Sequence, residues 1–289
     1  MKYLKYIMSE LFYDTIMFAI KFNFKPLYLL VFRIGLYFHD RNVTIQSIKH
    51  KGSLYYKLFD KINKLEAFFQ NPETGVRTYY KGIYKRAIKI GEEVYMLNKI
   101  DFNKDDIVYD VGSNLGVLNL YFYLKNSIFQ VKYFSFEPGK SEFESQRLNS
   151  KIEGNIFFNN YGLGDKKQEM TFYYKPDNGD SSFIEMKDYD FSYKVKVERL
   201  DNVINSYHHK KIKLLKIETE GFEPEVLNGL GDKSKIVEYI VVDCGFERGI
   251  NQESTAANVI NYLYSKNFSL LSKSKTRDVF LFKNKSFKN

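Results

Sequence analysis

Asp110, Gly112 and Gly116 stand in the stretch DIVYDVGSNLG at residues 106–116, and a further acid, Glu137, follows 25 residues after Gly112. Residues of these types, so spaced, suit an adenosine-bearing ligand. A glycine turn at a strand end lets a ligand approach the backbone, and a carboxylate ending the next strand accepts hydrogen bonds from ribose hydroxyls. The turn is not a phosphate loop, because no Gly-Lys-Ser/Thr follows. It is not the dinucleotide pattern G-x-G-x-x-G either, because Asn114 stands at the second glycine position. Asparagine is tolerable there, since it enters the left-handed region more readily than most residues. With Ser113 and Asn114 the loop is the candidate cofactor cradle. The spacing to Glu137 fits both a nicotinamide dinucleotide and S-adenosylmethionine. Asp110 favours the second, whose ammonium and sulfonium suit a carboxylate that would repel a pyrophosphate.

A second group of acids follows in KIETEGFE, where Glu218 and Glu220 share one face of a strand end before Gly221 turns the chain. These two are the candidate catalytic carboxylates: one of them can bind an acceptor hydroxyl or take its proton, a contribution of about 10²–10⁴-fold. Glu223 and Glu225 either join them or serve as first-turn acids that the next helix's dipole favours. Asp243 ends a later strand and is expected in the acceptor pocket. With Glu218 it offers only two carboxylates, too few for a metal site. Ser181 and Ser182 in NGDSSF stand at the edge of a strand excursion and read by themselves as a polar loop. His208 and His209 read as a solvated turn, and Cys244 as a small buried side chain.

The elements that must position these groups begin near Ile83. Apolar strand runs at 106–111, VKYFSF and NIFFNNYGLG alternate with the helical patterns LGVLNLYFYLKN and KSEFESQRLNSKIEG, the latter closed by Gly154. This is a doubly wound parallel half-sheet. An antiparallel excursion is expected at about 166–199, from KQEMTFYYKP, DSSFIEMKDY and FSYKVKVERL around the turn PDNGD. Alternation resumes through KIKLLKIETEG, EPEVLNGL, IVEYIVVDCG and STAANVINYLYSKN. FSLLSK and RDVFLFK close as a hairpin at one sheet edge.

The chain has 289 residues, 44% hydrophobic and 17% aromatic, enough for one α/β domain plus an additional segment. One cysteine excludes an internal disulfide and a cysteine-based zinc site, and suits a cytoplasmic setting. Residues 1–82 carry 13 Lys/Arg against 6 Asp/Glu, hence +7 of the net +9. The near-neutral remainder argues against a nucleic-acid groove. The front reads as a basic, aromatic, mainly helical segment at 1–82 ahead of a catalytic domain at 83–289. Asp14, Lys21, Lys25 and Arg33 interrupt its apolar run before it can span a bilayer, and the pattern is not that of a signal peptide. Its apolar stretch, including Leu27, Leu29, Leu30, Val31 and Phe32, must be covered. The covers considered are the catalytic domain, a second copy in a homo-oligomer, or an anionic membrane surface at its inner face. Packing on protein is the expectation.

Four stretches, DIVYDVGSNLGVLNL, YFSFEPGKSEFESQRLN, NNYGLGDKKQEMTFY and LLKIETEGFEPEVLNGL, together with GDSSF and VERLDNVI, extend over about residues 105–245. In this order they resemble the FkbM-type S-adenosylmethionine-dependent methyltransferases. The resemblance implies a Rossmann-like class I methyltransferase fold: a mostly parallel, seven-stranded sheet with helices on both faces and an antiparallel last strand. By position it implies that Asp110, Gly112 and Gly116 form the cofactor loop and that Glu137 binds the ribose. Gly162, Leu163 and Gly164 fall where the third strand passes the adenine. It also implies O-methylation of a sugar, glycan or glycolipid precursor, and that Ser181 and Ser182 lie near the cofactor or the acceptor. Glu218 stands where the family usually has Asp in Asp-x-Glu-Gly, one methylene longer. An NAD-dependent oxidoreductase remains the enzymatic alternative, and an inactive membrane-surface binding module the non-enzymatic one. Amino-methylating nucleic-acid enzymes are set aside because no Asn/Asp-Pro-Pro-Tyr/Phe motif follows the fourth strand. Cytosine C5 enzymes are set aside because the only cysteine follows Asp243 rather than proline.

Overall fold

The computed structural model describes residues 11–12, 14–18, 25–125, 130–150, 155–175 and 181–287; the expected stop at Gly154 and the turn at 176–180 lie outside them. The front segment is helical at Lys25–His39 and Pro72–Tyr79, but residues 43–69 correct the expectation of a mainly helical stretch. They form an antiparallel sheet of β1 (Val43–His50), β2 (Ser53–Asp60) and β3 (Leu65–Phe69). The cause is local. Lys51 and Gly52 both take left-handed backbone (φ 48° and 82°), the two-residue turn that suits a hairpin, and place His50 opposite Ser53. Pro72 then starts a helix whose first free N–H groups are capped by Asn71, which accepts from Glu73 N (2.8 Å) and Thr74 N (3.1 Å).

Tyr28, Phe32 and Leu36 recur every fourth position and bury one face of the Lys25–His39 helix. They share a core with Tyr56 and Phe69 of the small sheet and with Val108, Leu214 and Leu281 of the large one. The buried face of this helix is covered by the small sheet and by Tyr80, while Leu30 on its other side stays exposed. Among the described residues no helix is long and apolar enough to cross a membrane.

The large sheet begins with β4 (Ile107–Val111), β5 (Lys132–Phe136) and β6 (Ile156–Asn159). A smaller one follows from β7 (Gly162–Gly164), β8 (Gln168–Tyr174) and β9 (Phe191–Arg199). The chain returns to the large sheet with β10 (Ile212–Ile217) and β11 (Val237–Asp243), passes the short pair β12 (Phe246–Arg248) and β13 (Glu253–Ser254), and ends with β14 (Phe268–Lys273) and β15 (Val279–Asn284). The spatial order is β14-β15-β11-β10-β4-β5-β6, with β15 antiparallel to both of its neighbours and the other adjoining pairs parallel. Every residue of β10 and β11 is buried, as central strands covered on both faces require. The chain runs outward from β4 through β6 and comes back on β4's other side. The switch point, where open α/β sheets collect ligands, thus lies between β4 and β10.

Two expectations change in detail. NIFFNNYGLG is not one strand: it leaves the large sheet after Asn159, and Gly162–Gly164 pairs with β9 instead. DSSFIEMKDY is not a strand in its described part and contributes only the bridge Tyr173–Ser182. The reason lies in Ser182, whose Oγ donates to the Glu220 carbonyl (2.7 Å) and accepts from Ile184 N (3.1 Å). These bonds fasten the segment to the turn after β10.

Candidate active site

Beyond β4 the chain turns through Gly112 (φ 73°), Asn114 (φ 49°) and Gly116 (φ 75°) before the helix Val117–Leu124 begins. Gly112 serves a close approach, but of the protein to itself. A Cβ there would lie 1.8 Å from the Glu218 carbonyl oxygen, so the residue is glycine because the end of β10 packs against it. Ser113 lines the cavity but turns its hydroxyl beneath the loop, 2.8 Å from Ser135 Oγ, and donates to Gln146 Oε1 (2.9 Å).

Glu137, at the end of β5, locks the loop in place. Its carboxylate accepts from Asn114 N and Gly139 N, both at 2.7 Å. Burial and the neighbouring Glu142 push its pKa up to about 8 against the lowering effect of those N–H groups. Glu142 accepts from the Tyr174 hydroxyl (3.0 Å), while its Oε2 is buried without a hydrogen-bond partner. Asn114 Oδ1 is in the same condition, and both residues line the cavity with Gly162 and Leu163. Unmatched acceptors call for a ligand rich in donors. S-adenosylmethionine offers two ribose hydroxyls, an adenine amine and an ammonium, so the residues fit it.

Glu137 makes this half testable. Ribose hydroxyls stabilise the ionised carboxylate, whereas the ligand-free group holds its proton below about pH 8. S-adenosylhomocysteine binding at pH 7 is therefore expected to release up to about one proton, with affinity rising as much as ~10-fold per pH unit and levelling above pH 8. Calorimetry in two buffers of different ionisation enthalpy reads the proton count directly. A count of zero would remove Glu137 from the ribose.

The other half of the cavity is built on Lys216. It sits directly opposite Asp110 in the β10–β4 register, on the face that also carries Leu214 and Val108. Its ammonium lies 2.9 Å from Asp110 Oδ1 and 3.4 Å from Glu218 Oε2, and donates to the Gly112 carbonyl (2.6 Å). Burial works against this charge, but Asp110 and Glu218 outweigh it and raise the lysine's pKa. Tyr133 donates to the other oxygen of Asp110. Asp110 thus has its counter-charge within the protein, in Lys216.

Glu218 is held as tightly. Tyr95 donates to its Oε2, and Arg277 Nη2 reaches Oε1 at 2.9 Å. Burial alone would raise its pKa, yet Lys216 and Arg277 bring it down to about 2. A carboxylate so occupied is a poor proton acceptor, which favours a positioning role for Glu218 over proton transfer. Arg277 also contacts Asp243 (2.5 Å) and reaches toward Glu247 (3.8 Å). Burial and Glu218 push Asp243 up to about 8. Burial likewise lifts Glu247 to about 7, although its hydrogen bond to Glu220 pulls downward.

Of the residues singled out in the sequence, Asp110, Gly112, Ser113, Asn114, Glu137, Gly162, Leu163, Ser181, Glu218 and Glu220 surround one cavity. Gly116, Ser182 and Asp243 stand behind this lining and support it. Glu223 is a turn residue, accepting from Thr219 N (2.9 Å), Gly221 N (3.1 Å) and Thr255 Oγ1 (3.1 Å), and Glu225 pairs with Arg248 (2.7 Å). His208 is exposed. His209 stacks on Tyr207 beside the start of β10, away from the site. Among the described residues no group of three His, Cys, Asp or Glu is placed to hold a metal ion. Sequence reasoning missed Tyr95, Arg86, Lys216, Glu247 and Arg277. Only Lys216 left a signal, as a lysine inside the fully buried strand IKLLKI.

The Methyltransferase FkbM domain matches residues 110–270, more than half of the chain. The hexuronic acid methyltransferase AglP of Haloferax volcanii is 25% identical over 159 residues, 55% of this chain and 64% of that protein. Methyltransferase 1 of Beauveria bassiana is 26% identical over 171 residues, 51% of this chain and 68% of that one. The chain thus spans about two thirds of the length of these relatives. A crystal structure of an FkbM methyltransferase from Methylobacillus flagellatus superposes with a TM-score of 0.45 at 14% identity, over 66% of this chain and 47% of that one. The matched stretch starts at Asp110 and takes in the glycine loop, Glu137 and the Glu218–Glu220 turn. On that extent the chain belongs to the FkbM family of methyltransferases and takes S-adenosyl-L-methionine as its methyl donor.

Proposed function

We propose that this methyltransferase O-methylates a hydroxyl of a sugar, as a free saccharide, a glycan or a glycolipid precursor. The observation that carries the reading is the hydrogen-bonded pair of Glu220 and Glu247, both lining the donor cavity, with Glu247 near pH 7. An alcohol needs a proton acceptor of this strength as its oxygen bonds to carbon. The name of the Haloferax relative, a hexuronic acid methyltransferase, supports a sugar acceptor.

S-adenosyl-L-methionine supplies an electrophilic methyl carbon on a sulfonium leaving group. The Glu137 carboxylate and the glycine loop hold the adenosine, which fixes where that carbon lies. Glu218, clamped by Tyr95, Lys216 and Arg277, positions the acceptor side of the cavity. With the donor bound there, Glu247 would take the proton of the acceptor hydroxyl, and the products would be a methyl ether and S-adenosylhomocysteine. Alignment of this kind is worth up to about 7–11 kcal/mol in intramolecular systems.

The test is incubation with methyl-labelled donor and a panel of neutral and uronic-acid glycans, followed by mild alkali. An ether keeps its label, whereas a methyl ester on a uronic carboxylate releases labelled methanol. Base-stable label on a sugar is the expected result. Label lost entirely as methanol would transfer the reaction from hydroxyl to carboxylate, and label on no glycan would end the sugar reading.

A further inference from the structure

The family match begins at Asp110, yet the cavity has a wall from further upstream: Thr74, Arg77, Thr78, Arg86, Ile90 and Tyr95 also line it. Within that wall Arg86 stands out. Its guanidinium makes no hydrogen bond or ion pair among the described residues, and its Nε is buried without a partner. The charged and titratable groups it faces are Glu218, Tyr95, Arg277 and Tyr79. The acid among them, Glu218, is already claimed by Tyr95, Lys216 and Arg277. Arg77, the other arginine of this wall, is paired with Glu73 at 3.2 Å on an exposed turn.

A guanidinium stays charged in a protein, and a buried donor left unmatched is costly. Five N–H donors in a planar fork match a carboxylate two at a time. A singly charged, planar anion is also easier to seat beside ionised Glu218 than a phosphate dianion. We propose that Arg86 is a carboxylate seat, built into the cavity by the segment ahead of the family-matched region. Two molecules in this reaction can bring the carboxylate: the amino-acid end of the methyl donor, or a uronic-acid acceptor. The inference rests on the reading that the cavity holds both.

The experiment compares probes that differ by one carboxylate-bearing group, on wild-type protein, Arg86→Gln and Arg86→Lys. The donor arm measures S-adenosylhomocysteine against 5′-methylthioadenosine, which lacks the amino-acid end. The acceptor arm, with S-adenosylhomocysteine bound, measures methyl glucuronoside against methyl glucoside. In one arm the wild type is expected to prefer the carboxylate-bearing probe by roughly ten- to a hundredfold, with Arg86→Gln erasing that preference and Arg86→Lys keeping part of it. The wild-type preference needs no variant to fold, so its absence from both arms overturns the proposal by itself. So does an Arg86→Gln variant that leaves both ratios unchanged, or that weakens both adenosine probes equally. Wild-type protein that binds neither adenosine probe would instead bring down the donor reading, and this proposal with it.

Discussion

Lys216→Met is expected to cost the fold about 3–5 kcal/mol, because it removes the counter-charge of two buried carboxylates at once. Asp110 and Glu218 would then face each other across β4 and β10 with only Tyr133, Tyr95 and Arg277 to satisfy them. The Gly112 carbonyl would lose its 2.6 Å donor as well, so donor affinity should fall with stability. Adding Asp110→Asn to Lys216→Met should recover part of the loss, since one stranded charge disappears. Urea unfolding of the single and double variants reads both effects. A single-variant loss below about 1 kcal/mol, the range of an exposed ion pair, would mean that Lys216 does not hold the loop.

Glu247→Gln should act on turnover and spare the donor. If Glu247 takes the acceptor proton, kcat falls by about 10²–10⁴-fold while S-adenosylhomocysteine affinity stays as it was. The wild-type rate should rise with pH up to about 7, where Glu247 loses its own proton, and then level. That limb belongs to the free carboxylate, so it should vanish in the glutamine variant. Steady-state kinetics from pH 5.5 to 8.5 on a labelled sugar acceptor, with the donor saturating at every pH, would show it. A variant that keeps both its rate and its acid limb would return the proton to Glu220.

The donor half of the site was legible in the sequence because its parts are close in the chain and each is dictated by local conformation. Positive φ at Gly112 and Gly116 and a carboxylate at the next strand end leave few other readings. The acceptor half was not legible, because it is assembled from segments that nothing local links. Tyr95 and Arg277 reach Glu218 from far upstream and far downstream in the chain, and no spacing rule relates them. Lys216 could have been found, since a lysine amid Leu and Ile demands a buried acid, and Asp110 was already marked as one. The small sheet at 43–69 was obscured by aromatic content that suits helix and strand alike. Its Lys-Gly turn was the cue that composition outweighed.

The clamp on Glu218 also bears on how the molecule comes together. One of its oxygens is held by a tyrosine 123 positions upstream, the other by an arginine in the hairpin between β14 and β15. Contacts of such sequence separation form after the local ones, since the loops they close must be ordered first. The donor loop can take shape once β4, β5 and β10 have paired. The clamp stays open until Tyr95 has docked from upstream and the last hairpin has closed. Glu218 would report that last step, its pKa falling to about 2 as Arg277 and Tyr95 join Lys216 beside it.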